Sequence, residues 1–362
     1  MIPLVKVAMA PKEKMMPALE EVLYSGMLAE GEYVYRFEDA FKKHFKLEGS
    51  VLGMSSGTGA LHAALTLAGV NQGDEVITTS MTAEPTNLSI LYMGAKPVFA
   101  DVIDTSGNIS ADSIESRITN RTKAILVVHY AGYPVELNKI SKLAQKYNIP
   151  LIEDCAHALG AEYNGKGIGN YGDYAIFSLQ AIKHMTTVDG GILVVKNAEQ
   201  VKAAKKFRWF GMEKGVDRTK VDITEPGYKY NMSNVTGAMG LIQLEYINNI
   251  IDTHKSNGRY YDEQLARITG ITPGTFDKEA TPSYWLYTLV SDDWEDIQKK
   301  LTEKGVMASK LHRPNHFHTI FTYPETSLPG LDSFYANLLH IPCGWWVTEE
   351  QRAMIVDTIA RG

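Results

Sequence analysis

Between residues 50 and 195 the chain alternates two hydrophobic rhythms. Short runs rich in β-branched residues, VITTS (76–80), PVFADV (97–102), KAILVVH (123–129) and PLIED (150–154), read as buried strands. Between them GALHAALTLAG (59–69), PTNLSILYMG (85–94) and LNKISKLAQKY (137–147) carry apolar positions at helical spacing, with Gly69 and Gly94 as stops. Strand–helix–strand alternation predicts an α/β fold with a mainly parallel sheet covered by helices.

After Tyr163 the rhythm changes. NGKGIG (164–169) is turn-rich and fits a hairpin, while AIFSL (175–179) and GILVV (191–195) read as strands. MSNVTGAMGLIQLEYINNIIDTHKSNGRYYDEQLARI (232–268) reads as one long helix. SYWLYTLV (283–290) and WEDIQKKLTEKG (294–305) then open a second, βαβ-like stretch that leads into a loop bearing His and Pro. At about 150 residues per domain, 362 residues suggest two bodies. The boundary is placed inside the long helix. Residues 1–246, N-terminal arm included, form the large domain, and 247–362 form a smaller C-terminal α/β domain.

Composition narrows the class. Hydrophobic residues at 44% and charged residues at 22% fit a globular chain and exclude a disordered or fibrous one. Lys and Arg number 36 against 42 Asp and Glu, so the net charge of −6 offers no footprint for nucleic acid. Small anions remain open as ligands, because local loops bind them whatever the net charge. No run approaches the roughly 18 apolar residues that span a bilayer. Cys155 and Cys343 stand far apart, which excludes a disulfide framework or a CxxC metal site and fits a reducing compartment. The expectation is a cytoplasmic protein with neither nucleic acid nor membrane as partner.

Three segments carry candidate chemistry. MSSGTGALHAAL (54–65) puts small residues between a strand end and a helix, where backbone N–H groups and the helix dipole favour an anion. It is no dinucleotide fingerprint, because His62 occupies the place of the third glycine. GAEYNGKG (160–167) satisfies GxxxxGK but has Gly167 where a P-loop needs Ser or Thr. In IPLIEDCAHALGA (149–161) Asp154 closes an apolar strand, at the sheet edge where ligands of open α/β sheets gather. Glu153, Asp154 and His157 crowd that apolar turn, and buried ionisable groups need a reason. In AIFSLQAIKHMTTVDGGILVV (175–195) Lys183 lies in a polar loop between two strands.

Singly, these are a tight turn, a helix cap and a solvated lysine. Together and in this order they supply what pyridoxal phosphate requires. Its phosphate takes a helix N-terminus, its ring nitrogen a carboxylate and its aldehyde a lysine amine.

SSGTGALHAAL, SMTAEPT, GAKPVFADV, IEDCAHALGA, FSLQAIKHMTTVDGG and GYKYNMSNVTGAMGLIQL together resemble the DegT/DnrJ/EryC1/StrS family over nearly the whole chain. These are pyridoxal-phosphate sugar aminotransferases of fold type I. The resemblance implies Lys183 as the Schiff-base lysine and Asp154 as the partner of the pyridine nitrogen. It implies His157 beside the cofactor's phenolic oxygen, and Gly57, Thr58 and Ser178 in the phosphate cradle. Lys229, in GYKYN, matches the position that reaches the phosphate from the partner subunit of a homodimer. The implied reaction moves an amino group from glutamate to a keto-sugar, nucleotide-linked, in amino-deoxysugar biosynthesis.

The chain departs from the family at three places. Thr82-Ala83-Glu84 stands where many members carry an aromatic that covers the pyridine ring, leaving His129 and Tyr130 as candidates for that task. His184 follows Lys183, and a dehydratase branch has His in place of the lysine, but the register FSLQAIK keeps lysine at the catalytic position. KLHRPNHFHTIF (310–321) replaces the usual HYPxPLH. Pro314 breaks the helical spacing that His312, His316 and His318 would need as metal ligands, so no metal is expected. A loop presenting His312 and Arg313 to substrate is the alternative, beside a structural role. The competing functions are a pyridoxal-phosphate sugar dehydratase and a non-catalytic regulatory homologue, and Lys183 with Asp154 argues against both.

Overall fold

The computed structural model describes residues 1–321 and 327–361. Nine strands fill the first two-thirds of the chain: β1 (Ser50–Met54), β2 (Glu75–Thr79), β3 (Lys96–Ala100), β4 (Thr122–Val128), β5 (Leu151–Asp154), β6 (Glu162–Tyr163), β7 (Lys166–Gly167), β8 (Tyr174–Ser178) and β9 (Gly191–Val195). Seven of them make one sheet in the order β1-β9-β8-β5-β4-β2-β3. Only β9 opposes its neighbours, so the other six run parallel and end at one edge.

Both faces of this sheet are buried, which explains the continuous apolar runs. Ile125, Val127 and Leu151 pack on one side with α2 (Glu32–His44), α5 (Ala111–Arg117) and α6 (Leu137–Tyr147), the first of which follows α1 (Lys12–Tyr24). Leu126, Val128 and Ile152 pack on the other with α3 (Gly57–Leu67), α4 (Glu84–Tyr92) and α7 (Val201–Phe207). The NGKGIG segment is indeed a hairpin: β6 pairs with β7 across Asn164 and Gly165, both at positive φ. That backbone is a two-residue hairpin turn, not a phosphate loop.

The long helix is interrupted. It divides into α8 (Asn234–Leu244) and α9 (Ile247–Leu265), where Glu245 and Tyr246 make three-residue bonds back to Ile242 and Gln243. No Gly or Pro marks the spot, so the residue pattern gave no warning of it. Ile247 and Ile251 pack with the large sheet, whereas Tyr261 and Leu265 belong to a second core nearer the C-terminus. We propose that the domain boundary lies at this interruption.

The second core carries β10 (Thr272–Pro273), β12 (Tyr287–Val290) and β13 (Leu338–Ile341), while β11 (Ala280–Thr281) extends the β6–β7 hairpin. Around them lie α10 (Trp294–Glu303), α11 (Pro329–Asn337) and α12 (Glu349–Ala360). β12 and β13 pair antiparallel, so the stretch expected to be βαβ-like is an antiparallel sheet. The N-terminal arm joins this body too: Ile2 bridges Val306, and Ile2 and Leu4 sit in the second core.

SYWLYTLV becomes strand only from Tyr287. Tyr284 takes φ +49°, while Ser283 and Leu286 donate their N–H groups to the carbonyls of Gly132 and Ala131. This turn aims Trp285 inward, and the indole is 2% exposed.

Candidate active site

The carboxyl ends of the parallel strands converge on one enclosure. After β1 ends, Ser56 caps α3, its Oγ accepting the Gly59 N–H at 3.0 Å. The first-turn N–H groups, those of Gly57 and Thr58 among them, have no acceptor within the helix and carry the positive end of its dipole. Ser178 closes β8 opposite them: a Cβ on Gly57 would lie 3.1 Å from the Ser178 Cβ. A Cβ on Gly191 would lie 2.5 Å from the Ser56 carbonyl, so the strand start can approach the loop this closely only as glycine. Gly57, with Thr58 next to it, and Ser178 thus come together at the start of α3.

Asp154 sits at the end of β5, 2% exposed. Its Oδ2 accepts from the Thr86 hydroxyl at 2.9 Å and its Oδ1 from the Ala156 N–H at 3.1 Å. Burial pushes its carboxyl up, against the pull of Ala156 and Thr86 and of the Lys183 charge. Lys183 lies in the same enclosure. Burial brings its amine down to about 8, with Asp154 opposing the shift.

Three rings line the wall beside this pair. Trp285 stacks on His157 with centroids 4.1 Å apart, and His312 lies parallel to His157 at 5.4 Å. The Lys183 Nζ lies 4.1 Å from the Trp285 ring centroid. Burial, then the Lys183 charge, pushes His157 well down and takes His312 to about 4, so both imidazoles are neutral. Among the described residues His157 Nδ1 and His312 Nε2 are buried without a hydrogen-bond partner.

Other expected residues are placed apart from this wall. Lys229 is exposed; its Nζ donates to Asn231 at 2.6 Å and lies over the Trp209 ring. Arg313 is exposed, with its guanidinium over Phe317. The three histidines of the loop diverge, His316 bonding Ser80 at 2.7 Å and His318 facing Glu84 at 3.6 Å. His129 is fully buried, with its Nε2 bonded to Glu153 at 3.2 Å and its Nδ1 accepting the Val135 N–H. Tyr130 stands edge-on to His157, its hydroxyl bonded to His340.

Sequence reasoning missed Thr86, Trp285 and Asn315. Asn315 is fully buried and donates its Nδ2 to the Thr82 carbonyl and its N–H to that of Ser80, while its Oδ1 accepts from Asn87. It ties the His312 loop to the segment carrying Thr86. None of the three carried a local signal, since the burial that makes Asn315 need partners appears only in the folded chain.

These residues fit pyridoxal phosphate. Among the described residues Asp154 is a buried carboxylate with no cationic hydrogen-bond partner, which suits a protonated ring nitrogen. His157 offers an unused polar atom, the α3 cradle offers N–H groups to a phosphate, and Lys183 offers a nucleophilic amine.

The sequence pattern of the DegT/DnrJ/EryC1/StrS aminotransferase family matches residues 10–360. An uncharacterised protein of Methanocaldococcus jannaschii is 30% identical over 94% of this chain and 92% of its own. The UDP-4-amino-4-deoxy-L-arabinose–oxoglutarate aminotransferase of Shewanella sediminis is 39% identical over 72% of this chain and 69% of its own. Among solved structures, a sugar aminotransferase of Micromonospora echinospora superposes over the whole of both chains with a TM-score of 0.94 at 35% identity. With Lys183, Asp154 and the α3 cradle assembled at the sheet's carboxyl edge, this chain belongs to the DegT/DnrJ/EryC1/StrS aminotransferase family and is a pyridoxal-phosphate-dependent aminotransferase.

Proposed function

We propose that the enzyme moves an amino group from glutamate to the carbonyl of a nucleotide-linked keto-sugar, in amino-deoxysugar biosynthesis. The sugar comes from the likeness to sugar aminotransferases. The observation that carries the chemistry is the enclosure itself: a buried carboxylate without a cationic hydrogen-bond partner, and an amine near 8, beside a helix N-terminus.

The cofactor supplies an electrophilic aldehyde and an electron-accepting ring. Gly57, Thr58 and Ser178 would hold its phosphate, and Asp154 would set its carboxylate against the ring nitrogen. Thr86 and the Ala156 N–H keep Asp154 aimed. An amine near 8 exists in both protonation states close to neutral pH, so the Lys183 Nζ can take up and return a proton within one turnover. His157 and His312, held neutral, place uncharged polar atoms on the wall beside that amine. His312, with the exposed Arg313 that follows it, is assigned to the sugar.

The proposal includes a homodimer in which Lys229 of the partner subunit closes the phosphate cradle. Its exposed position beside Phe210 and Tyr228, aromatic residues also left at the surface, supports that reading. Lys229→Ala is expected to weaken cofactor affinity about tenfold, the worth of one charged hydrogen bond; unchanged affinity by absorbance titration removes it from the cradle. The cytoplasm suits the two free, buried cysteines.

The test is a screen of nucleotide-linked 3-keto and 4-keto deoxysugars with glutamate, read by mass spectrometry. Replacement of the carbonyl oxygen by an amine supports the proposal. Deoxygenation instead, or no reaction across the panel, overturns it.

A further inference from the structure

We propose that Trp285 is a positioning residue for the catalytic amine: its indole face receives the Lys183 ammonium whenever that amine is not covalently engaged, and keeps it beside the reacting atoms. The inference rests on the assignment of Lys183 as the cofactor-linking lysine.

A buried ammonium is costly unless something answers its charge. Among the described residues Lys183 forms no salt bridge: Asp154 attracts it through space, while the hydrogen bonds that the two Asp154 oxygens accept come from Thr86 and Ala156. The titratable groups around it are Asp154 at the end of β5, His157 in the following turn, His184 next in its own loop and His312 from the C-terminal body. Burial pushes all three histidines down, so none competes as a cation. What faces the ammonium is the π surface of Trp285, at 4.1 Å from Nζ to centroid, well inside the ~6 Å reach of a cation–π contact.

The indole is fixed as such a seat must be. Its Nε1 donates to the carbonyl of Ile182 at 2.9 Å, the residue just before the lysine, so ring and amine keep their relation. Its stack with His157 and the Tyr284 turn hold the remaining freedom. A π surface also suits an amine that must be released: it attracts the ammonium without taking its proton, as a carboxylate could.

The experiment uses the full chain with pyridoxamine phosphate bound, the form in which Lys183 is free. Reductive methylation by formaldehyde and cyanoborohydride is followed by peptide mass spectrometry across pH, with exposed Lys12 as internal reference. Protein is made with ordinary, 5-fluoro- and difluoro-tryptophan, which weaken the π surface and keep its shape, and as Trp285→Phe and Trp285→Leu.

The midpoint for Lys183 should fall stepwise with fluorination and by about one unit in Trp285→Leu, with Trp285→Phe between. Lys12 should not move. If Trp285→Leu fails to fold, the fluorinated series decides. A Lys183 midpoint that stays fixed or rises on fluorination overturns the proposal. Borohydride reduction of the pyridoxal-phosphate form, mapped in parallel, separates the two assignments. Label absent from position 183 overturns the lysine itself, whereas label at 183 with an immobile midpoint overturns only Trp285.

Discussion

Glu153 and Asp154 are neighbours in the chain, both acidic and both buried, yet they face opposite sides of the sheet and do opposite things. Glu153 accepts from the N–H groups of Gly169, Tyr171 and Gly172 and from His129. Burial pushes its carboxyl up, but the His129 contact and these N–H groups more than offset that and hold it low. Asp154 has two donors and a nearby amine, and burial leaves it high. Glu153 is saturated and pins the 169–172 turn; Asp154 is under-partnered. His129, Glu153 and Cys155 lie close enough to suggest a metal, but four donors already occupy the carboxylate. A buried acid with every lone pair engaged reads as structure, and one left short of partners reads as a site for a ligand.

The sharpest test of the functional side is Lys183→Ala, expected to lower kcat about 10,000-fold or more, as loss of a nucleophile that is also the base. Single-turnover rates within tenfold of wild type would refute it. Next comes the acid on that side. Asp154→Asn should cost about 100- to 1,000-fold in kcat while leaving the cofactor-free fold as stable or more so. The sign follows from its raised carboxyl: ionising it costs the fold stability as pH climbs past the ordinary 3.8, in full above the raised value. Thermal melts from pH 3 to 8 check this, and a less stable Asp154→Asn at pH 7 would contradict it.

Glu153→Gln should do the reverse, losing about 3 kcal/mol of stability and little kcat per folded site. Its carboxyl lies below the ordinary 4.5, so its stabilisation is present above that pH and lost as pH falls through the lower folded value. The variant should therefore show a flatter acid limb, measured by denaturant titration. Smallest is Thr86→Val, which removes the hydroxyl on Asp154 Oδ2 and should weaken cofactor affinity about tenfold. An unchanged dissociation constant would mean that Ala156 alone aims the acid.

Much of the fold was legible because its signals are local. Helix α6 matches the expected span, and β2, β4, β5, β8 and β9 match within a residue or two, since apolar period and glycine stops act over a few residues. The interruption at Glu245–Tyr246 carried no Gly or Pro signal, and the Tyr284 turn was invisible because distant contacts enforce it. Ser283 and Leu286 are held by a turn at 131–132, about 150 positions earlier. The site divides in the same way. Asp154 at a strand end and Lys183 in the loop between two strands stood out by place and order, whereas Gly57, Thr58 and Ser178 were named through the resemblance to the family. Thr86, Trp285 and Asn315 could not be named, because each acts on a residue at least 68 positions away.

The amino-acid order by itself determined the strand–helix alternation, the small-residue turn before α3 and the chemical identities of lysine and acid. Hydrogen-bond patterns and side-chain periods over a few residues suffice for these. Which of two adjacent carboxylates would be saturated and which left for a ligand was decided only by tertiary packing. So was the choice of aromatic ring to face the amine. Burial, partners and charge at those positions come from segments that meet only when the chain has closed.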